Sequence, residues 1–235
     1  MATPSAIDPA ASAVRAQRAA TADERARQTR RAIFDALDRL DVSAGTPTAA
    51  ALIRESGVAK ATFYTHFDGL GDALAEFVCL ELRAIGVQER AERLRPGADP
   101  HLSVRRGIER IIDHAAAHRS VYGLVLAGSV HPEHRARILS TLSEENLTTG
   151  HLADSDLTVG ELQAASTFLA AGAIELIGLW VQGRLALGRD QLADTIQRLL
   201  PGWLRGDDPP NAPHVPPISH AADPKVAAPT ERKTP

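Results

Sequence analysis

An all-α fold is predicted by three features of the sequence. Ala, Leu and Arg are abundant while aromatic residues make up only 4% of the chain. Apolar residues recur at helical offsets, and no stretch alternates apolar and polar residues between turn signals. The 235 residues are 44% hydrophobic and 23% charged, a globular balance that excludes wholesale disorder and collagen-like repeats. No fixed period of self-similarity is present, which removes solenoids and propellers. The formal charge of −3 supplies no global pull toward nucleic acid or acidic membranes, so any such binding must come from a local patch. The single cysteine, Cys79, excludes an intramolecular disulfide framework and fits a reducing, cytoplasmic setting. The first thirty residues lack the continuous apolar stretch of a secretory signal.

Residues 1–21 contain Pro4 and Pro9 and little that is apolar beyond Ala, and read as a flexible basic arm in which a helix starts between Ala10 and Asp23. Over 22–42, Ile33, Phe34, Leu37 and Leu40 make an amphipathic stripe opposite Arg27, Arg30, Arg31 and Arg39, which predicts the first helix. Thr46-Pro47-Thr48 supplies capping hydroxyls and a first-turn proline, and Gly57 stops the second helix, about 48–55. Between Gly57 and Asp68-Gly69 the run Val58–Phe67 leaves room for two turns. Two short helices about a glycine turn form a helix-turn-helix, closing a DNA-binding domain over 22–71.

The region 72–206 reads as a helical ligand-binding and dimerisation domain. Leu74, Phe77, Val78, Leu82 and Ile85 form one stripe ended by Pro96-Gly97, and Val104, Ile108, Ile111, Ile112 and Ala115 the next. Shorter elements follow at Val121–Leu126 and about Pro132–Thr149, and a last helix carries Leu192, Ile196, Leu199 and Leu200. Residues 207–235 hold eight of the fifteen prolines and read as a disordered tail, dispensable for dimerisation and DNA binding.

The function rests on Gly57-Val58-Ala59-Lys60-Ala61-Thr62-Phe63-Tyr64-Thr65-His66-Phe67. A helix entering the major groove needs short or polar side chains outside and an apolar anchor inside. Phe63 and Phe67, four apart, supply the anchor. Lys60, Ala61, Thr62 and Thr65 are the candidate base readers: Lys60 can donate to guanine and Ala61 can touch a thymine methyl. Tyr64, His66 and the Thr48 hydroxyl can donate to phosphates, which fixes register without reading sequence.

This run resembles the recognition-helix signature of TetR-family transcriptional regulators, and the resemblance extends from Arg30–Leu40 through Leu74. It implies the same division of labour among these residues. The final run Gly178-Leu179-Trp180…Gly188-Arg189-Asp190-Gln191-Leu192-Ala193 is similar to the last two helices of that family. That similarity implies a four-helix dimer interface, for which Phe168, Ile174, Leu179, Leu187, Leu192, Ile196 and Leu199 are the candidates. Several positions depart from the family pattern. Ala59 stands where a capping side chain is usual, Ile53 where a small residue is, and Leu70 and Ala50 where basic residues are. Each lost phosphate contact lowers affinity and salt dependence. Arg15, Arg18, Arg25, Arg27, Arg30 and Arg31 against Asp23 and Glu24, a local +4 over residues 15–31, are placed to compensate at phosphates or in a minor groove.

Ala164–Val181 is an 18-residue run whose only charge is Glu175, close to the length of a membrane span. A helix facing its own core on one side and a second subunit on the other explains it better. His114 and His118, one turn apart, could share a metal, but no third ligand stands in an obvious motif, and no metal or cofactor is expected. Cys79 reads as a buried thiol. Phe77, Tyr122, Phe168 and Trp180 are candidate ligand-lining aromatics. No catalytic signature is present. The sequence therefore predicts a non-enzymatic, cytoplasmic, homodimeric repressor that binds double-stranded operator DNA and is released by a small-molecule effector. The alternatives are a TetR-like scaffold that has lost DNA binding and acts through a protein partner and, third, an enzyme using the helical cavity.

Overall fold

The computed structural model describes residues 9–39, 47–126, 130–153 and 157–207. The described residues are helical with short connections: α1 (Pro9–Arg39), α2 (Ala49–Ser56), α3 (Lys60–His66), α4 (Leu70–Arg93), α5 (Pro100–Ala117), α6 (Arg119–Leu126), α7 (Pro132–Leu152), α8 (Val159–Val181), α9 (Arg189–Leu199) and α10 (Gly202–Arg205). The backbone of α1 is helical from Pro9, one residue ahead of the Ala10–Asp23 window in which the sequence places the start of a helix. The Pro-rich segment expected to be a disordered tail lies outside the described residues, apart from Asp207.

The helix ends follow local chemistry. The Thr48 hydroxyl accepts from the Ala51 N–H at 3.1 Å, and Asp99 accepts from His101 N–H at 2.9 Å just ahead of Pro100. Thr158 and Glu161 form a reciprocal capping box on α8. Ile33, Ala36, Leu37, Leu52, Phe63 and Phe67 bury the first three helices against one another. In the larger body α4 packs on α5 and α7, α7 on α8, and α5 on α9. Leu74, Val78 and Leu82 of α4 and Ile138 of α7 lie fully inside this packing. Trp203 and Leu204 of α10 join Leu162 in a smaller apolar cluster. By length and composition α8 could cross a membrane, at a mean hydropathy of 1.6. It gives Leu162, Ala170, Ile174, Ile177 and Trp180 to the protein core.

Candidate nucleic-acid interface and interhelical cavity

The turn between α2 and α3 depends on Gly57, whose φ of 68° lies in the left-handed region and whose N–H returns to the Arg54 carbonyl. Ala59 then occupies the N-cap of α3 with no side-chain hydrogen bond, as the sequence implied. Phe63 and Phe67 face inward, which turns Lys60, Ala61, Tyr64 and Thr65 to solvent. Tyr64 is 48% exposed. Thr62 and His66 are half-buried and, with Arg25, Gln28 and Thr29 of α1, line an open groove beside α3. Thr48 is exposed at the start of α2. Of the seven residues assigned to DNA from the sequence, Thr48, Lys60, Ala61, Tyr64 and Thr65 are exposed, while Thr62 and His66 line the groove beside α1.

The basic residues of α1 divide. Arg30 pairs with Glu76 of α4 at 3.1 Å and sits over the Phe67 ring, so it links α1 to α4 while its side chain stays 44% exposed. Arg27 pairs with Glu24 on the surface, whereas Arg31 is exposed. Nothing is described of the Arg15 and Arg18 side chains. Leu70, in the first turn of α4, packs against the core.

A chain of rings runs from this surface into the larger body. Tyr64 meets Phe63 at 5.2 Å, Phe63 meets Phe67 at 5.6 Å, and Phe34 touches both Phe67 and Phe77 at 5.9 and 5.8 Å. Phe77 stacks on His114 at 5.2 Å, and His114 meets Tyr122 at 5.6 Å. The His114 Nδ1 is 3.0 Å from the Tyr122 hydroxyl, and His118 Nε2 is 3.4 Å from Asp38 of α1. Burial, aided by neighbouring His118, lowers the His114 pKa to about 4. Burial also raises the Tyr122 phenol. His114 and His118 are thus engaged with Tyr122 and Asp38. Among the described residues no group of three His, Cys, Asp or Glu could hold a metal ion. Cys79 is buried, receives a hydrogen bond from Thr141 at 3.3 Å, and is pushed up in pKa by burial.

A second connection is ionic. Arg137 of α7 donates to the Asp72 carboxylate and to the Asp72 carbonyl, both at 2.7 Å. His134 lies so near Gly71 that a Cβ there would be 2.6 Å from its ring. The first turn of α4, just beyond α3, is therefore gripped by α7.

Farther along, α7 walls a cavity of about 100 Å³ shared with α4, α5, α8, α9 and α10. Leu82, Ile85, Ile108, Ile111, Ile177 and Leu200 give it an aliphatic lining. Glu89, Glu145, Asn146 and Thr149 supply its polar groups. Arg90 binds Glu145 at 2.6 Å and Arg93 binds Glu89 at 2.9 Å. Arg93 also donates to the Leu204 carbonyl at 2.6 Å, tying α10 to α4. A Cβ on Gly86 would overlap the Glu145 carboxylate, so this mid-helix glycine lets that carboxylate lie against α4, whereas a Cβ on Gly107 would meet the Glu89 stem at an ordinary 3.4 Å.

Comparison with known proteins yields no matching family model and no matching curated sequence. Solved structures do match. The TetR-family repressor AlkX from Dietzia sp., implicated in biodegradation of n-alkanes, superposes with a TM-score of 0.52 at 16% identity, covering 74% of this chain and 97% of its own. The chain has a TetR-like fold. The fatty acid degradation regulator FadR from Bacillus halodurans covers 74% of this chain and 97% of its own at 17% identity, with a TM-score of 0.49.

Within this TetR-like fold the residues expected to line a ligand site lie elsewhere. None of Phe77, Tyr122, Phe168 and Trp180 borders the cavity. Phe77 and Tyr122 belong to the ring chain. Trp180 donates to the Leu187 carbonyl at 2.9 Å beneath Arg119, and Phe168 is 78% exposed. Three of these four rings are used in packing or hydrogen bonding within the subunit, and aliphatic side chains line the void. The residues suggested for a dimer interface also separate. Phe168 and Leu199 are exposed, Leu179 and Leu187 are half-buried, and Ile174, Leu192 and Ile196 are buried within the subunit. Within the subunit the last three are already covered, which leaves them little apolar area for a partner.

Proposed function

We propose that the chain is a cytoplasmic homodimeric repressor that binds palindromic operator DNA through α3 and releases it when a small molecule enters the interhelical cavity. The α3 surface carries this reading: Lys60, Ala61, Tyr64 and Thr65 stand outward on a short helix held by buried Phe63 and Phe67. That arrangement suits major-groove entry and has no use in a purely internal hairpin. The exposed Phe168 and Leu199 on α8 and α9 support a partner subunit, because large solvated apolar side chains gain from burial.

The coupling follows from α7. It borders the cavity with Leu142, Glu145, Asn146 and Thr149 and holds the start of α4 through Arg137. A ligand acts as an inducer only if it binds the DNA-incompetent arrangement more tightly than the competent one, and operator then weakens the ligand by the same factor. The alternative is a TetR-like scaffold without DNA binding, favoured by uncapped Ala59, inward-packed Leu70 and exposed Ala50. Selection of duplexes from a random pool by the full chain at low salt tests the two. An enriched palindrome establishes the DNA reader, and no enrichment gives the scaffold reading.

A further inference from the structure

The cavity between α4, α5 and α7–α10 has a chemistry specific enough to name a ligand class. Its wall holds no aromatic ring and no Lys, Arg or His. Its volume of about 100 Å³ is below the roughly 150 Å³ of an apolar cavity that admits benzene, so the guest is compact and aliphatic. Two carboxylates reach the wall, and both are already neutralised: Glu145 by Arg90 and Glu89 by Arg93. Neither arginine itself lines the cavity, and Arg93 is further committed to the Leu204 carbonyl. Thr149, buried on α7, adds a hydroxyl, and Asn146 adds an amide whose nitrogen is turned toward the Ser166 carbonyl at 3.5 Å. The amide oxygen is left as an acceptor.

We infer that this cavity takes a compact aliphatic molecule with one uncharged hydrogen-bonding group, of the short-chain alcohol type, and rejects the corresponding carboxylate. The inference rests on the proposal that the cavity is the effector site and adds the identity of the head group. A hydroxyl can donate to the Asn146 oxygen and exchange hydrogen bonds with Thr149 while its chain replaces void with aliphatic contact. A carboxylate would bring a third negative charge beside Glu89 and Glu145 with no free cation to meet it, in surroundings where charge is poorly screened. An ammonium group would meet carboxylates whose charge Arg90 and Arg93 already balance, and so would bring an uncompensated positive charge into the cavity.

Calorimetric titration of the full chain with propan-1-ol, propanoate and propylamine at neutral pH tests this, with operator release by fluorescence anisotropy read separately. Saturable binding of propan-1-ol is expected, with propanoate and propylamine each at least about tenfold weaker. Thr149→Val should weaken propan-1-ol about three- to tenfold. Ala173→Leu, which fills the cavity from α8, should abolish propan-1-ol binding without lowering the melting temperature. Equal or tighter binding of propanoate or propylamine overturns the inference, as does no saturable binding of propan-1-ol, or propan-1-ol binding that survives Ala173→Leu. Propan-1-ol binding without operator release upholds the site and removes its role as the effector site. Operator binding with no propan-1-ol response leaves the DNA reader standing and overturns the ligand class.

Discussion

Lys60 and Tyr64 stand side by side on α3 and should fail in different ways when altered. Lys60 can reach a base edge, so Lys60→Ala should relax preference at one operator position at a cost of about 1–3 kcal/mol. Tyr64, 48% exposed with its ring on Phe63, offers only its hydroxyl, so Tyr64→Phe should weaken all sequences equally. Competition binding over a set of single-base operator variants separates the two. His114 makes a pH prediction. Its pKa in the folded protein is about 4, below the ordinary value of 6.5, so the unfolded chain binds the proton more readily than the folded one. Its contribution to stability is complete above about pH 6.5 and is lost as pH falls toward 4. The groups around it are His118, the Tyr122 hydroxyl and, across His118, Asp38 of α1. Melting temperatures of His114→Phe should fall less steeply across that window than those of the parent chain.

At the scale of elements, the missing cap on α3 and the glycine before it have opposite consequences. Ala59→Ser provides the hydroxyl acceptor that the helix lacks and should stabilise the protein by about 0.5–2 kcal/mol. Gly57→Ala forces a Cβ into the left-handed region and should cost about 1 kcal/mol. Both are read from thermal or urea unfolding. These two features were legible in the sequence because turn and cap chemistry is local. The long amphipathic helices were equally legible, through Leu74, Val78 and Leu82 on α4 and their counterparts. The four residues of α10 were not, since a single turn has no period. The cavity was missed for a different reason: Ile108 or Ile177 beside a void has the same residue type and spacing as Ile112 in a filled core. The signal that could have found it was Gly86, which interrupts an otherwise good helix former at a site where a helix gains nothing from glycine and leaves room for the Glu145 carboxylate. Phe77, Tyr122 and Trp180 border other elements and not this cavity, because their rings are engaged in contacts between helices or loops.

For the whole molecule, the division of the apolar residues of α8 and α9 predicts two kinds of mutant. Phe168→Glu and Leu199→Glu alter exposed positions and should yield well-folded monomers in sedimentation, whereas Ile174→Ala should destabilise the subunit by about 2–5 kcal/mol through a core void. Arg137→Met should leave operator affinity near that of the parent and reduce ligand-driven release by about 0.5–2 kcal/mol of coupling, because it frees the start of α4 from α7. Helix α7 contains no interior proline, and its 21 residues form a rod about 30 Å long. Arg137 and Glu145, eight residues apart, lie about 12 Å apart along it. A rod of that stiffness shortens or bends little, so a guest that pushes its far half outward leaves the near half two choices: to carry Asp72 along or to tear two hydrogen bonds from it. On the proposed reading, a lever of fixed length passes such a push to α4 with little loss, so that the strength of the Arg137 grip, more than the distance between cavity and α3, sets how much of it arrives.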